Sequence, residues 1–426
     1  MPEDTSQEHP LAERSRSLGQ QYCPLSPTHT ANPYAFYAQA RKEEPIFFSP
    51  IMNAWVVSRY EDCLIILKDH QRFAGMTVQV GYNQLTPEVQ TLLRTSASGK
   101  LPTALSSLEP PEHTRLRGSV AKAFTAQHLV SMEPQVRTYA NQLIDRCTPW
   151  KQMDVVEHFT TPYPIMVIGD LLKIPEADRE LLQHWTENVM TLLFASPPHK
   201  QQLACAQEMV AMFSYVRDLV EERRKEPQDD LISILVQKGG GGQTALSPVE
   251  VTGMLRFLLL AGIEEPFRFL SNCLFHLLEH RSHWEALVQN PELIPQFVEE
   301  GLRFDGSSLG VWRIAKEDVV IKGKYIPKGA RIQVLQSSAN HDEAIFSHPE
   351  IFDPFREGLQ RHIAFGQGIH TCLGASLVRL EVRVALEQLS QRLPSLRLVP
   401  HQRLNYSHSL VSHGIEQLLV EWECAL

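Results

Sequence analysis

The chain has 426 residues and a formal net charge of −9, from 40 basic and 49 acidic side chains; 43% of it is apolar and 21% charged. This is the composition of a soluble globular protein. The acidic balance argues against a nucleic-acid binder, which needs a basic face, and no apolar run reaches the ~18 residues that span a bilayer.

The polar, acidic start from Met1 to Ser17 is unlike a signal peptide and reads as part of a flexible tail over residues 1–32. Length alone allows about three domains of ~150 residues, but a large helical enzyme can fold as one unit, and 33–426 reads as a single domain. Seven cysteines (Cys23, Cys63, Cys147, Cys205, Cys273, Cys372 and Cys424) form no CxxC pair, so neither a zinc site nor a disulfide framework is indicated. All but Cys372 read as small buried hydrophobes.

In chain order, short strands are expected at 45–48 and 54–58, and amphipathic helices at 127–147 and 202–225. Lys238 and the four glycines after it read as a flexible linker, because ordering glycine costs the most backbone entropy. Ser247-Pro248-Val249-Glu250 is a helix start: Ser as N-cap, Pro in the first turn and Glu completing a capping box. About 30 largely apolar residues follow, a helix of roughly 45 Å that should run through the protein's middle. Inside it Ile263-Glu264-Glu265-Pro266 places two carboxylates and a proline, which should kink or open the helix near Gly262. Two acids at a kink can simply face solvent; in the core of such a helix they mark a polar site, since local rule-breaking tends to accompany function. Further strands are expected at 319–322 and 331–335, joined through a tight turn at Ile326-Pro327-Lys328-Gly329. The whole reads as mainly α with a minor β part.

The segment Ala364-Phe365-Gly366-Gln367-Gly368-Ile369-His370-Thr371-Cys372-Leu373-Gly374 leads into a long helix at 375–393. Cys372 thus lies at a helix N-terminus, where the dipole favours a thiolate. Gly366 and Gly368 permit backbone bends, and Gly374 permits close approach of a flat ligand. A lone cysteine there is weak evidence, but the pattern FGxGxHxCxG needs its glycines, His and Cys to coincide. On these residues the chain resembles a soluble bacterial-type cytochrome P-450, from about Pro33 to its C-terminus.

The resemblance implies the helix-rich haem domain of that family, with haem b as cofactor and Cys372 as the axial thiolate, the ligation that favours O–O cleavage. Phe365 would pack near the sulfur and the loop amides would tune it. Glu300-Gly301-Leu302-Arg303 resembles the family's ExxR pair, one helical turn apart. The family usually completes a triad with a further Arg, but Ile351 stands where it is often found, and Arg356 nearby is not assigned that role. His113 and Arg117 resemble an HxxxR helix; with Arg313 and His370 they are the candidate cations for the haem propionates. Ala261 and Gly262 match the Ala-Gly of the central helix, followed in most relatives by an acid and a Thr that deliver protons to bound dioxygen. Here Glu264 keeps the acid, while Glu265 replaces the hydroxyl residue. Either Glu264 or Glu265 is expected to serve as an alternative proton relay in an oxygen-activating monooxygenase. A peroxide-using or non-hydroxylating P-450 is the alternative, and a haem-free scaffold is an alternative of another class.

By the same resemblance the protein is cytosolic, and its electrons come from a separate ferredoxin or flavodoxin fed by an NAD(P)H reductase. That partner would dock on a basic patch of Arg361, His362, Arg379 and Arg383. The substrate pocket would be built from the loop between Gly75 and Leu105, the helix around Leu258 to Glu265, Leu309 to Val311, and Leu410-Val411. That lining suits a medium-sized, largely apolar natural product, with polar residues Gln79, Asn83, Gln84, Thr95, Ser96 and Ser98 forming an adaptable lid.

Overall fold

The computed structural model describes residues 17–76, 85–96, 105–242 and 246–423. Helices dominate and surround one long central helix, Pro248–Glu279. Its start is the expected capping box: Ser247 accepts from the Glu250 N–H, and the Glu250 carboxylate accepts from the Ser247 N–H at 2.9 Å. Leu255, Leu259, Ile263 and all six residues from Phe269 to Leu274 are buried, so apolar burial on every side holds this helix in the core. It does not open at Pro266; helical backbone continues through Gly262 and beyond it. Gly262 serves packing: a Cβ there would press on the Ile168 side chain at 3.0 Å, so its absence lets helix Pro162–Leu171 lie close.

Around this helix pack Pro162–Leu171, Arg179–Phe194, His199–Lys225, Ile294–Asp305 and Ala375–Arg392, and Ala126–Cys147 lies against the last of these. A five-stranded sheet stands to one side, in the order Ile46–Ser49, Ala54–Val57, Arg331–Val334, Val311–Ala315, Phe73–Met76. Its pairs are antiparallel except that of Ala54–Val57 with Arg331–Val334. The register sets Arg313 opposite Gly75. The turn at Ile326 to Gly329 follows an additional strand, Lys324–Ile326, which forms a hairpin with Val319–Ile321, and Gly329 has the positive φ of +81° such a turn needs.

Two expectations change. Residues 17–32 do not form a free tail: short helices Leu18–Gln21 and Pro27–Ala31 bury Tyr22, Leu25 and His29, with Tyr22 bonded to Gln333 at 2.9 Å. Aromatic burial outweighs the polar composition that suggested mobility. The glycine run is not a linker either, since Gly239 to Gly242 end the helix Leu231–Gly242. That helix starts in buried Leu231, Ile232 and Leu235 and propagates into the glycines, because extending a helix costs far less than nucleating one. Cys63, Cys147, Cys205 and Cys273 are buried as expected; Cys23 is only half-buried.

Candidate active site

The cysteine loop is tied by its own backbone. The Cys372 N–H donates to Phe365 O at 2.8 Å, the Gly366 N–H to Ile363 O at 2.9 Å, and the Thr371 N–H to Gly368 O at 3.2 Å. Gly366 and Gly368 both have positive φ, +73° and +78°, and a Cβ on Gly368 would collide with the Leu67 carbonyl. Gly374 has an ordinary φ of −83°, and among the described residues a Cβ there would meet Cys372 Sγ at 4.0 Å, an ordinary contact. Burial raises the Cys372 thiol above its usual value; the Gly374 N–H and then the Arg117 charge pull it back. An iron ion deprotonates a coordinating thiol outright. Beneath the loop, Arg379 lies 4.7 Å from the centre of the Phe365 ring and grips Glu299 at 2.5 and 2.9 Å.

The four cationic candidates come together from three elements. His113 and Arg117 share helix Glu112–Val120, Arg313 is on the sheet, and His370 is in the cysteine loop. The rings of His113 and His370 are 4.5 Å apart, and Arg117 Nη2 donates to Thr371 O at 2.6 Å. Arg313 is buried, with the Trp312 carbonyl as its hydrogen-bond partner among the described residues, and burial lowers it to about 10. Burial, then Arg313 and His113, depress His370 to about 3. Among the described residues, His113 Nε2 and His370 Nε2 are buried without a hydrogen-bond partner. Buried donors and uncompensated positive charge are what a group bearing two carboxylates satisfies, so these residues fit haem.

Arg303 Nε and Nη2 hold Glu300 at 2.8 and 2.6 Å, both residues fully buried. Arg356 completes the triad that its place in the sequence did not suggest: its Nη2 lies 3.5 Å from Glu300 Oε1. Ile351, at the position inspected for that role, supplies its carbonyl to both Arg303 and Arg356. The signal was Phe352-Asp353-Pro354-Phe355-Arg356: the Asp353 N–H also donates to Glu300 Oε1 at 2.8 Å, folding Arg356 back toward the same carboxylate.

On the central helix the two acids diverge. Glu264 is buried and paired with Arg268 at 2.6 Å. It helps line a cavity of about 560 Å³ between helix Arg179–Phe194, the central helix and Ser407 to Ser409. That cavity is on the Glu264 side and, among the described residues, shares with the expected substrate lining only Glu264. Glu265 lies one turn from exposed Ala261 and is pushed up to about 7, chiefly by burial, with the Ser307 hydroxyl opposing and Glu264 adding to the rise. Its Oε2 is buried and has no hydrogen-bond partner among the described residues. Neither acid is a free surface group.

The expected basic patch is largely cancelled. His362 is buried against Glu299 at 2.9 Å, Arg379 shares that carboxylate, and Arg383 pairs with Glu133 and Glu387, each at 2.7 Å. Arg361 alone of the four is exposed without a carboxylate partner among the described residues. Helices reach the loop with their charges already matched, which composition cannot reveal. Of the expected lid, Gln79, Asn83, Gln84 and Ser98 lie outside the described residues, while Thr95 and Ser96 end helix Pro87–Ser96. Leu309 and Leu410 are buried, and the Leu309 N–H donates to Val411 O at 2.8 Å, so these two segments do meet. Among the described residues no helix is long and apolar enough to cross a membrane.

A family model for cytochrome P450 matches residues 47–404. The chain is 34% identical to the putative cytochrome P450 YjiB of Bacillus subtilis, over 86% of this chain and 89% of that one. It is 33% identical to the mycinamicin IV hydroxylase/epoxidase of Micromonospora griseorubida, over 94% and 98% respectively. The solved structure of cytochrome P450 CREJ in complex with (4-ethylphenyl) dihydrogen phosphate matches with a TM-score of 0.90 at 29% identity, covering 95% of this chain and 100% of that one. With its cysteine loop, its cation cluster and these relatives, the chain belongs to the cytochrome P450 family of haem-b monooxygenases.

Proposed function

We propose that this enzyme oxidises a medium-sized, largely apolar small molecule of natural-product metabolism, with Glu265 as the proton-handling residue and a separate ferredoxin or flavodoxin as electron donor. Bound haem supplies the reductive activation of dioxygen. Cys372 is its proposed iron ligand; His113, Arg117, Arg313 and His370 hold its propionates; Phe365, Gly366, Gly374 and Ala261 line its faces. A relative acting on mycinamicin IV supports the substrate class.

The observation that carries the proton assignment is the state of Glu265. A buried carboxyl near 7 populates both its protonated and ionised forms at neutral pH, as a general acid that must be reloaded requires. Glu264, paired to Arg268 beside the 560 Å³ cavity, is the route by which Glu265 regains a proton from outside. Glu265→Gln keeps the shape and removes the acid. It should uncouple NAD(P)H consumption from product formation; unaltered coupling would refute the assignment. Turnover with hydrogen peroxide exceeding turnover with ferredoxin and reductase would favour the peroxide-using alternative.

A further inference from the structure

We infer that Gly414, held over the central helix by Asn272, is a positioning residue for the Glu264–Arg268 pair: it leaves the arginine stem one path, which ends on the Glu264 carboxylate. The inference rests on the assignment above of Glu264 as the route of proton return and concerns what keeps that route in place.

Glu264, Arg268 and Asn272 follow one another at intervals of four on the central helix, so they share a face. That face is covered by a hairpin of the C-terminal segment. An antiparallel bridge between Tyr406 and Ile415 closes the hairpin, and the Ser407 N–H donates across it to Gly414 O at 2.8 Å. Asn272 is fully buried and grips the hairpin on both sides of Gly414. Its Nδ2 donates to His413 O at 3.1 Å and its Oδ1 accepts from the Ile415 N–H at 3.2 Å. Nδ2 also donates to Asp305 O at 3.2 Å, so both donors and the acceptor of the amide are used and its orientation is fixed.

The consequence falls on the residue between. A Cβ at Gly414 would lie 2.7 Å from both Cβ and Cγ of Arg268 and 2.9 Å from its Cδ. These are the first carbons of the stem, which no rotation of the guanidinium end removes. Gly414 is not among the glycines of positive φ, so room for the arginine, not backbone conformation, is what requires glycine there. Beneath the hairpin the Arg268 guanidinium lies 4.8 Å from the centre of the Phe267 ring, and Nε donates to Glu264 Oε1 at 2.6 Å. A free arginine samples many rotamers; one packed between a hairpin backbone and a ring has few. The other titratable groups lining the cavity are Glu187, from helix Arg179–Phe194, and His408 and Glu416, from the C-terminal segment. All three are exposed, and among the described residues Glu264 is the carboxylate paired with Arg268.

The test uses the haem-loaded enzyme with isotopically labelled arginine in proton–nitrogen NMR. The Arg268 Nε–H signal, assigned by its loss in Arg268→Lys, should exchange slowly with water in the native chain. Gly414→Ala should speed that exchange several-fold. Asn272→Ser, which leaves Gly414 in place and introduces no charge, should speed it as well. Product formed per NADPH is then followed against pH, with a surrogate ferredoxin–reductase pair and a probe substrate chosen for its shift of the haem Soret band. The midpoint should rise in Gly414→Ala as in Arg268→Gln, and the double variant should shift no further than Arg268→Gln alone. Shifts that add would show that Gly414 acts elsewhere than through Arg268. A fast-exchanging Arg268 Nε–H in the native chain would overturn the inference without any variant of the hairpin, as would protection retained in folded Gly414→Ala. Protection lost in Gly414→Ala but kept in Asn272→Ser would overturn the grip of Asn272. A midpoint unmoved by Arg268→Gln would refute Glu264 as the route of proton return, while exchange of the Nε–H still decides the role of Gly414.

Discussion

Arg356 Nη2 lies 3.5 Å from Glu300 Oε1, on the carboxylate that Arg303 already grips through two hydrogen bonds. Arg356 also caps the carbonyls of Ser347, His348 and Ile351. It thereby fastens the segment before the cysteine loop to the helix behind it. Arg356→Ala should cost roughly 3 kcal/mol, since it orphans buried acceptors and leaves one of two cations on a buried carboxylate. Lysine should not rescue it, because one ammonium cannot reproduce a planar fork that serves several oxygens at once. Urea unfolding and the haem-to-protein absorbance ratio measure both effects. Full stability and haem content in Arg356→Lys would show that the fork is dispensable.

The spacing that reveals Cys372 is local, and so it was readable: glycines, His and Cys within eleven residues specify one backbone path. The ends of the central helix and of 126–147 were readable for the same reason, as capping residues and apolar periodicity act over a few residues. Arg356 was not assigned, because its partner Glu300 is fixed by tertiary folding and Ile351 takes part through its carbonyl, which carries no side-chain signal. The proximal arginines misled for a related cause. Arg379 and Arg383 look basic in sequence, yet Glu299 and Glu133 arrive from two other helices, and Glu387 one turn along their own, to neutralise them. Gly262 matches the family's Ala-Gly in sequence, but only the fold shows that a Cβ there would press on Ile168, so that the glycine also serves packing.

Coupling should depend on pH through Glu265. Its carboxyl is raised to about 7 by burial, so the proton-bearing form prevails below that value and is lost above it. Product formed per NADPH should therefore fall as pH rises through about 7, and the profile should flatten in Glu265→Gln. A midpoint that persists in the variant would assign the titration to another group. Changing Arg268 to Gln, which frees Glu264 from its ion pair, should shift this midpoint upward, because an unscreened neighbouring carboxylate raises an acid's value further.

His276 makes the stability itself depend on pH. Although burial alone would lower it, its bonds to Asp305 and Glu279 raise it from 6.5 to about 9. A histidine raised on folding contributes stability that is fully present below about 6.5 and disappears as pH climbs through about 9. The contribution is on the order of 3 kcal/mol. Unfolding free energy measured in urea should decline across that window in the native chain and much less in His276→Gln. An identical slope in both would show that other groups carry the dependence.

Electron delivery should respond to salt less than a strongly basic docking face would require. Three of the four arginine and histidine side chains near the loop are matched by carboxylates, and Arg361 is the exposed exception. Surface charges beyond a Debye length of ~8 Å at physiological salt contribute little. Arg361→Glu should therefore slow reduction by an acidic ferredoxin more than raising the ionic strength slows the native enzyme. Stopped-flow reduction rates at matched salt compare the two, and a steep salt dependence that survives Arg361→Glu would place the docking charges elsewhere.

The two glycines that flank Cys372 should behave differently. Gly368 combines a φ of +78° with a Cβ position blocked by the Leu67 carbonyl, which is backbone and has no rotamer to move. Alanine there must shift the loop or the helix Tyr60–Lys68 beneath it, at a cost of ~1–3 kcal/mol for the backbone conformation before the clash is counted. Gly374 has a φ that alanine adopts freely and a Cβ site in ordinary contact with Cys372 Sγ. Gly368→Ala should therefore lose haem on purification and unfold at lower urea. Gly374→Ala should retain native stability and haem content, with at most a displaced Soret band from its contact with the sulfur. Equal loss in both variants would mean that close approach to the sulfur, and not backbone geometry, is what glycine provides in this loop.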